Sequence, residues 1–190
     1  MKDTETAMPQ IILVTGGSRS GKSRYAEQRA RALAAPRAYV ATCEVGDAEM
    51  QERVARHQRD RAAAGWHTLE TPLDLAGALA GNGEFATVLV DCLTLWVNNL
   101  LFHRAPEDGE LTEDAIQEEC ERVLAAARRR GGAVVFVTNE VGLGIVPDNA
   151  LARRYRDLVG RCNQAIAAGA DEVVLVACGL PLTLKPSDCS

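Results

Sequence analysis

Ile11-Ile12-Leu13-Val14-Thr15, followed at once by Gly16-Gly17-Ser18-Arg19-Ser20-Gly21-Lys22-Ser23, is the stretch on which the reading of this chain turns. The octapeptide fits G-x-x-x-x-G-K-[ST]. An apolar, β-branched run precedes it, and a segment of helical composition, 22–33, follows it. Glycines at this spacing let the backbone curl until its N–H groups face phosphate oxygens, and the N-terminus of the following helix adds positive potential. Lys22 is then placed to reach β- and γ-phosphates, and the Ser23 hydroxyl to ligand Mg²⁺. The competing reading is a plain glycine turn between strand and helix.

Working outward, four more apolar runs occur at 38–42, 88–91, 133–138 and 172–177. Helical segments at 47–64, 93–102, 112–130 and 151–168 lie between or beside them. Strands that are apolar throughout and alternate with helices belong to a parallel sheet covered on both faces. The expected class is therefore α/β, a P-loop NTPase-type three-layer fold with a mostly parallel central sheet flanked by helices. A short run at 183–185 could add an edge strand, 105–109 reads as a surface turn, and Gly131-Gly132 closes the helix at 112–130. Residues 1–9 read as a flexible tail and 10–190 as a single nucleotide-binding domain.

Several runs end in a small or polar residue: Thr15, Thr42, Asp91 and Thr138. In such folds ligands bind beyond the carboxyl ends of the strands. Val88-Leu89-Val90-Asp91 has the pattern of a Walker B acid that holds the metal ion, although a terminal Asp can also simply cap the next helix.

Composition narrows the function classes. The chain has 190 residues, 47% of them apolar and 25% charged, with a net charge of −5. An acidic balance argues against a general nucleic-acid or membrane-surface binder. No apolar run approaches the roughly 20 residues of a membrane span. The start of the chain, with Asp3 and Glu5, has no secretory pattern, so a cytoplasmic protein is expected. The six cysteines, at 43, 92, 120, 162, 178 and 189, form no close pair, which disfavours zinc and redox motifs and suggests reduced, mostly buried thiols.

In segment 47–64 a spacing of four puts Glu49, Arg53, His57 and Arg61 on one helical face, with Arg56 and Arg59 beside it. Neighbouring guanidinium charges favour a neutral imidazole, which can act as a nucleophile while the arginines hold a triphosphate. On residue arithmetic alone, however, a solvated, salt-bridged helix with an incidental histidine is the stronger reading. His67, in an expected loop, and His103 read as surface or capping residues, and Trp66 and Trp96 as packing residues. The stretch 137–149, with Asn139, Glu140, Gly142, Gly144 and Asn149, could line an acceptor pocket or merely connect strand to helix, with Asn149 as cap.

Taken together these segments resemble the bifunctional adenosylcobinamide kinase / adenosylcobinamide-phosphate guanylyltransferases of cobalamin biosynthesis, from Ile11 to Lys185. The resemblance rests on Leu13-Val14-Thr15-Gly16-Gly17 with Arg19-Ser20-Gly21-Lys22-Ser23, on Tyr39-Val40-Ala41-Thr42, and on Asp47-Ala48-Glu49-Met50 with Arg53 and His57. It continues through Trp66, Thr68 and Glu70, Asn99-Leu100-Leu101, residues 137–147, Leu151-Ala152-Arg153, and Asn163-Gln164. It turns His57 from an incidental histidine into a functional one, because His57 takes the place of the family's covalent guanylyl carrier. Family nucleotide contacts match Gly16, Gly17, Ser18, Arg19, Ser20, Gly21, Lys22 and Ser23, then Cys43, Glu44 and Val45, Gln58, Arg59, Asp60 and Arg61, and Glu70 and Asp91. Some relatives carry a second histidine where Arg56 stands, and a glutamate where Asp91 stands.

The resemblance implies two reactions, with ATP, GTP and Mg²⁺ as cofactors and Ser23 and Asp91 as metal ligands. The chain would phosphorylate adenosylcobinamide with ATP or GTP, then carry GMP from GTP on His57 to adenosylcobinamide phosphate, giving adenosylcobinamide-GDP. Lys22 would stabilise the transferring phosphoryl group. No sequence feature singles out the base for the hydroxyl; Asp91 and Glu140 are both candidates. A homotrimer is implied, with no nucleic-acid partner. The alternative is a single-function P-loop kinase of a small alcohol.

Overall fold

The structure, a computed structural model, describes residues 10–44, 65–103 and 109–187. The tail at 1–9, the expected helix at 47–64 with His57, part of the expected turn at 105–109, and Cys189 lie outside the described residues.

Among the described residues seven strands form one sheet: β1 (Gln10–Thr15), β2 (Arg37–Ala41), β3 (Trp66–Glu70), β4 (Thr87–Asp91), β5 (Ala133–Val137), β6 (Glu172–Ala177) and β7 (Leu180–Lys185). Their order is β3-β2-β4-β5-β1-β6-β7. All neighbours pair in parallel except β6 and β7, which form an antiparallel hairpin. The described helices are α1 (Lys22–Arg31), α2 (Leu75–Gly81), α3 (Leu93–His103), α4 (Glu113–Arg130) and α5 (Ala150–Gly169), with a 3₁₀ turn at Val141–Leu143. None of these is long and apolar enough to cross a membrane.

Two core layers follow from the twofold alternation of side chains along a strand. Ile11 and Leu13 pack on one face with Leu79, Trp96, Ile116, Val123, Cys162 and Ile166, supplied by α2 to α5. Ile12 and Val14 point the other way, against Ala26 and Ala30 of α1, with Leu89, Val135 and Val174 beside them. Strands buried on both faces have no polar face to show, which is why β1 and β5 read as unbroken apolar runs.

The expected α/β three-layer architecture is therefore observed, with two additions and one correction. β3 and α2 are elements that the sequence pattern does not predict. His67 lies within β3 rather than in a loop, with its ring stacked on Phe85 at 5.2 Å. The expected edge run at 183–185 is the end of the longer β7. Trp66 and Trp96 are packing residues, at 4% and 1% exposure. Cys120 and Cys162 meet in the core with their sulfurs 3.6 Å apart, and every described cysteine is a free thiol.

A candidate phosphate-transfer site at the carboxyl edge of the sheet

Gly16 leaves the end of β1 where there is no room for a side chain. A Cβ there would stand 2.4 Å from the Val176 carbonyl oxygen and 2.7 Å from Ser20 Oγ. The loop then turns through Arg19, at φ 58°, and Gly21, at φ 94°, and enters α1. A Cβ on Gly21 would press on Gly179 Cα at 3.2 Å, and the Gly179 amide donates to the Ser20 carbonyl at 2.8 Å. The turn between β6 and β7 thus braces the loop from outside.

The start of α1 differs from those of α2, α4 and α5. Asp74, Thr112 and Asn149 cap α2, α4 and α5 by accepting from the amides of Gly77, Ala115, and Leu151 with Ala152. Gly21, at the N-cap of α1, has no side chain to do so, and Lys22 N makes only a long 3.4 Å contact with Ser20 Oγ. Apart from the Ser20 amide, which donates to the Gly17 carbonyl at 3.2 Å, the amides of the loop and first turn are thereby left to an incoming anion. Lys22 Nζ folds back and donates to the Gly17 carbonyl at 3.1 Å, so the cation lies over the loop itself.

The neighbouring strand ends complete the edge. Ladder register aligns Glu70 with Ala41, Ala41 with Asp91, and Asp91 with Val137. β5 therefore stands between the strand that carries Asp91 and the strand that feeds the loop. Asp91 Oδ2 accepts from the Tyr39 hydroxyl at 2.7 Å. The ends of β2 and β4 are stapled together: Thr42 Oγ1 donates to the Cys92 carbonyl and accepts from the Cys92 amide, both at 2.8 Å. Burial pushes the Cys92 thiol up, as does the Asp91 carboxylate, against smaller opposing effects that include Lys22. Cys43 is raised the same way, by burial first and then by Glu44 and Asp91. Thiols raised above their ordinary value carry little thiolate at neutral pH, so neither suits nucleophilic chemistry there.

Of the residues singled out in the sequence, Gly16 to Ser23, Cys43 and Asp91 come together at this edge. Glu44 is exposed and pairs with His103 Nε2 at 2.8 Å, and Glu70 ends β3, two strands from Asp91. Val45, His57, Gln58, Arg59, Asp60 and Arg61 lie outside the described residues. Ser23 and Asp91 supply hard oxygen donors of the kind Mg²⁺ takes, and Mg²⁺ needs few of them when phosphate and water fill the rest. No cluster of three potential metal ligands occurs among the described residues.

One group is not legible as a unit in the sequence. Glu140 Oε1 accepts from Thr15 Oγ1 at 2.5 Å and from Asn163 Nδ2 at 3.3 Å, and the Glu140 amide donates to the Gly16 carbonyl at 3.2 Å. Thr138 Oγ1 donates to Asn163 Oδ1 at 2.6 Å. Beyond it, the loop to α5 borders a cavity of about 340 Å³ lined by Gly142, Arg156, Arg161 and Gln164, among others.

A strand, a glycine loop and a helix in this order, with an acid at a nearby strand end of the same parallel sheet, define the P-loop class of nucleotide-binding folds. Residues 12–184 match the family described as cobinamide kinase / cobinamide phosphate guanyltransferase, and the chain belongs to it. Its relatives include the bifunctional adenosylcobalamin biosynthesis protein CobP of Pseudomonas aeruginosa, 44% identical over 91% of this chain and 96% of the relative. They also include the CobU proteins of Salmonella typhimurium, 44% identical, and Escherichia coli, 42% identical, each over 92% of this chain and 99% of the relative. Among solved structures, the flagellar accessory protein FlaH of Methanocaldococcus jannaschii shares the fold, with a TM-score of 0.54 at 13% identity over 95% of this chain and 80% of its own.

Proposed function

We propose that this chain phosphorylates adenosylcobinamide on its aminopropanol hydroxyl and then transfers GMP from GTP to the product through a guanylyl group on His57. The observation that carries the proposal is the meeting of an uncapped glycine loop, Lys22 and the Asp91 strand end at one sheet edge, in a chain of this family. ATP or GTP rests with its phosphates on the amides of residues 16–23. Lys22 stabilises negative charge on the transferring phosphoryl group. Mg²⁺, held by Ser23 and Asp91, would neutralise charge on the β- and γ-oxygens when bound.

In the second reaction the His57 imidazole attacks the α-phosphorus of GTP and expels pyrophosphate. The phosphate of adenosylcobinamide phosphate then displaces the imidazole, giving adenosylcobinamide-GDP. Covalent catalysis divides one displacement between two anions into two steps with a good leaving group. Arg53 and Arg61, each four residues from His57 in the sequence, with Arg56 and Arg59 between them, support this role, because neighbouring guanidinium charges favour a neutral imidazole.

Incubation with GTP labelled at the α-phosphorus tests the proposal. The expected result is an acid-labile, base-stable label on the protein, absent with γ-label and absent in His57→Ala, which keeps at least part of the kinase activity. Transfer of γ-phosphate alone, with no protein-bound label, would leave a single-function kinase. The homotrimer reading is supported by β7, an edge strand whose Leu180, Leu182 and Leu184 are 72%, 59% and 56% exposed. A monomer in sedimentation equilibrium would remove it.

A further inference from the structure

Two carboxylates stand at the site edge, and their surroundings give them different work. Asp91 accepts from the Tyr39 hydroxyl and ends β4, two strands from the strand that feeds the loop. Glu140 is bound to the phosphate loop itself: its amide holds the Gly16 carbonyl, and Oε1 is gripped by Thr15 at the end of β1. Its second grip, from Asn163, has a defined hydrogen-bond sense. Asn163 Nδ2 faces the Asn139 carbonyl at 3.2 Å, which can only accept, so the amide nitrogen must lie on that side and also meets the Glu140 carboxylate. Oδ1 is then left to the Thr138 hydroxyl. Thr15, Thr138 and Asn163 are at most 9% exposed, so this arrangement is held inside the protein.

The result is a carboxylate with one oxygen fixed by donors. Its other oxygen, Oε2, takes no hydrogen bond among the described residues. Glu140 lies just beyond β5, the strand between the loop strand β1 and the Asp91 strand β4, and leads into the loop that runs to the Gly142–Arg161 cavity.

We infer that Glu140 is the general base of the phosphoryl-transfer step, with Thr15 and Asn163 as its positioning residues. The inference rests on the kinase reading above. The acceptor hydroxyl gives its proton to Glu140 Oε2 while its oxygen forms the new bond to the γ-phosphorus. The bond from the γ-phosphorus to the β–γ bridging oxygen breaks, and its electron pair leaves with the nucleoside diphosphate. The proton passes to solvent after product release. Guanylylation of His57 has no hydroxyl acceptor and does not use this group.

Glu140→Gln tests this, because glutamine keeps the shape and can still accept from Thr15 and Asn163. With ATP and adenosylcobinamide, kcat is expected to fall about 10²- to 10⁴-fold. KM for either substrate should stay within about threefold, and α-labelling of the protein by GTP should be unchanged. Thr15→Val, which removes one grip and leaves the carboxylate, should lower the same kcat by about tenfold, and Thr15→Ser should restore it. If Glu140→Gln is too unstable to assay, the Thr15 pair carries the test alone. A kinase kcat within threefold of wild type in both variants overturns the inference, as does an equal fall in kinase and labelling activities. A wild-type chain that labels with α-phosphate but never phosphorylates adenosylcobinamide sinks the kinase reading, and this inference with it.

Discussion

The two edges of the sheet are built on opposite terms. At the amino edge, cationic side chains direct their donors to the backbone. Arg37 donates to the carbonyls of Ala30, Arg31 and Leu33, and Arg130 to those of Asn82, Phe85, Gly131 and Ala133. Asp171 accepts from the Ile11 amide at 2.7 Å and from both terminal nitrogens of Arg128, at 2.7 and 2.6 Å. At the carboxyl edge the loop amides at the start of α1 have no side-chain cap, and Lys22 has only the Gly17 carbonyl among the described residues. At the amino edge most of these donors are satisfied from within and close the fold, Arg130 Nε being a buried exception among the described residues, whereas the donors left over at the carboxyl edge can recognise a ligand. The same chemistry therefore serves stability at one end of the strands and function at the other.

That contrast predicts a double dissociation. The largest effect should come from Lys22→Met, which is expected to lower kinase kcat/KM by about 10²- to 10³-fold. Its unfolding free energy should stay within about 0.5 kcal/mol of wild type, since the lysine closes nothing. Steady-state kinetics beside urea unfolding would read both, and a large loss of stability would break the comparison. Arg130→Met should do the reverse. Removing a half-buried cation from four carbonyls is expected to cost about 2–3 kcal/mol of stability, while kcat in the folded fraction stays within about twofold.

The smallest effect concerns acid. Burial pushes the Asp171 carboxyl up, but the hydrogen bonds from Arg128 and the Ile11 amide, with the charges of Arg128 and Lys185, outweigh it and hold the group below its ordinary value. A depressed folded value means that the contribution to stability is complete above the unfolded value of about 3.9 and fades as pH falls below it. The stability gap between wild type and Asp171→Asn should therefore be constant near neutrality and shrink below about pH 4 in pH-dependent urea unfolding. A gap that grows with acid would reverse the sign of the argument.

What can be read from the sequence is what is local. β1, β4 and β5 announce themselves because a strand buried between two helical layers has no polar face to confuse the pattern, and β2 and β6 keep enough of an apolar run to be read the same way. The phosphate loop is contiguous, so its spacing carries its geometry. β3 is hidden because Trp66-His67-Thr68-Leu69-Glu70 lies at the sheet edge, pairs with β2 alone, and mixes buried with exposed residues. α2, Leu-Ala-Gly-Ala-Leu-Ala-Gly, has two glycines in seven residues and looks like a loop. The Asp74 cap and the burial of Leu75 and Leu79 make it a helix, and a Cβ on Gly77 would collide with the capping carboxylate at 2.1 Å. The Glu140 assembly is hidden for another reason: Thr15, Thr138, Glu140 and Asn163 converge from separate parts of the chain, and only β5–β1 pairing and the docking of α5 put them together.

The bond from Gly179 to Ser20 sets an order of events in the cell. β1 is translated before both its sheet neighbours and before the turn that buttresses its loop, the last of them at residue 179. A nascent chain lacks this brace on the phosphate loop until the hairpin has been synthesised. Ligand capture through the braced loop therefore reports that the chain has been made at least as far as the turn between β6 and β7.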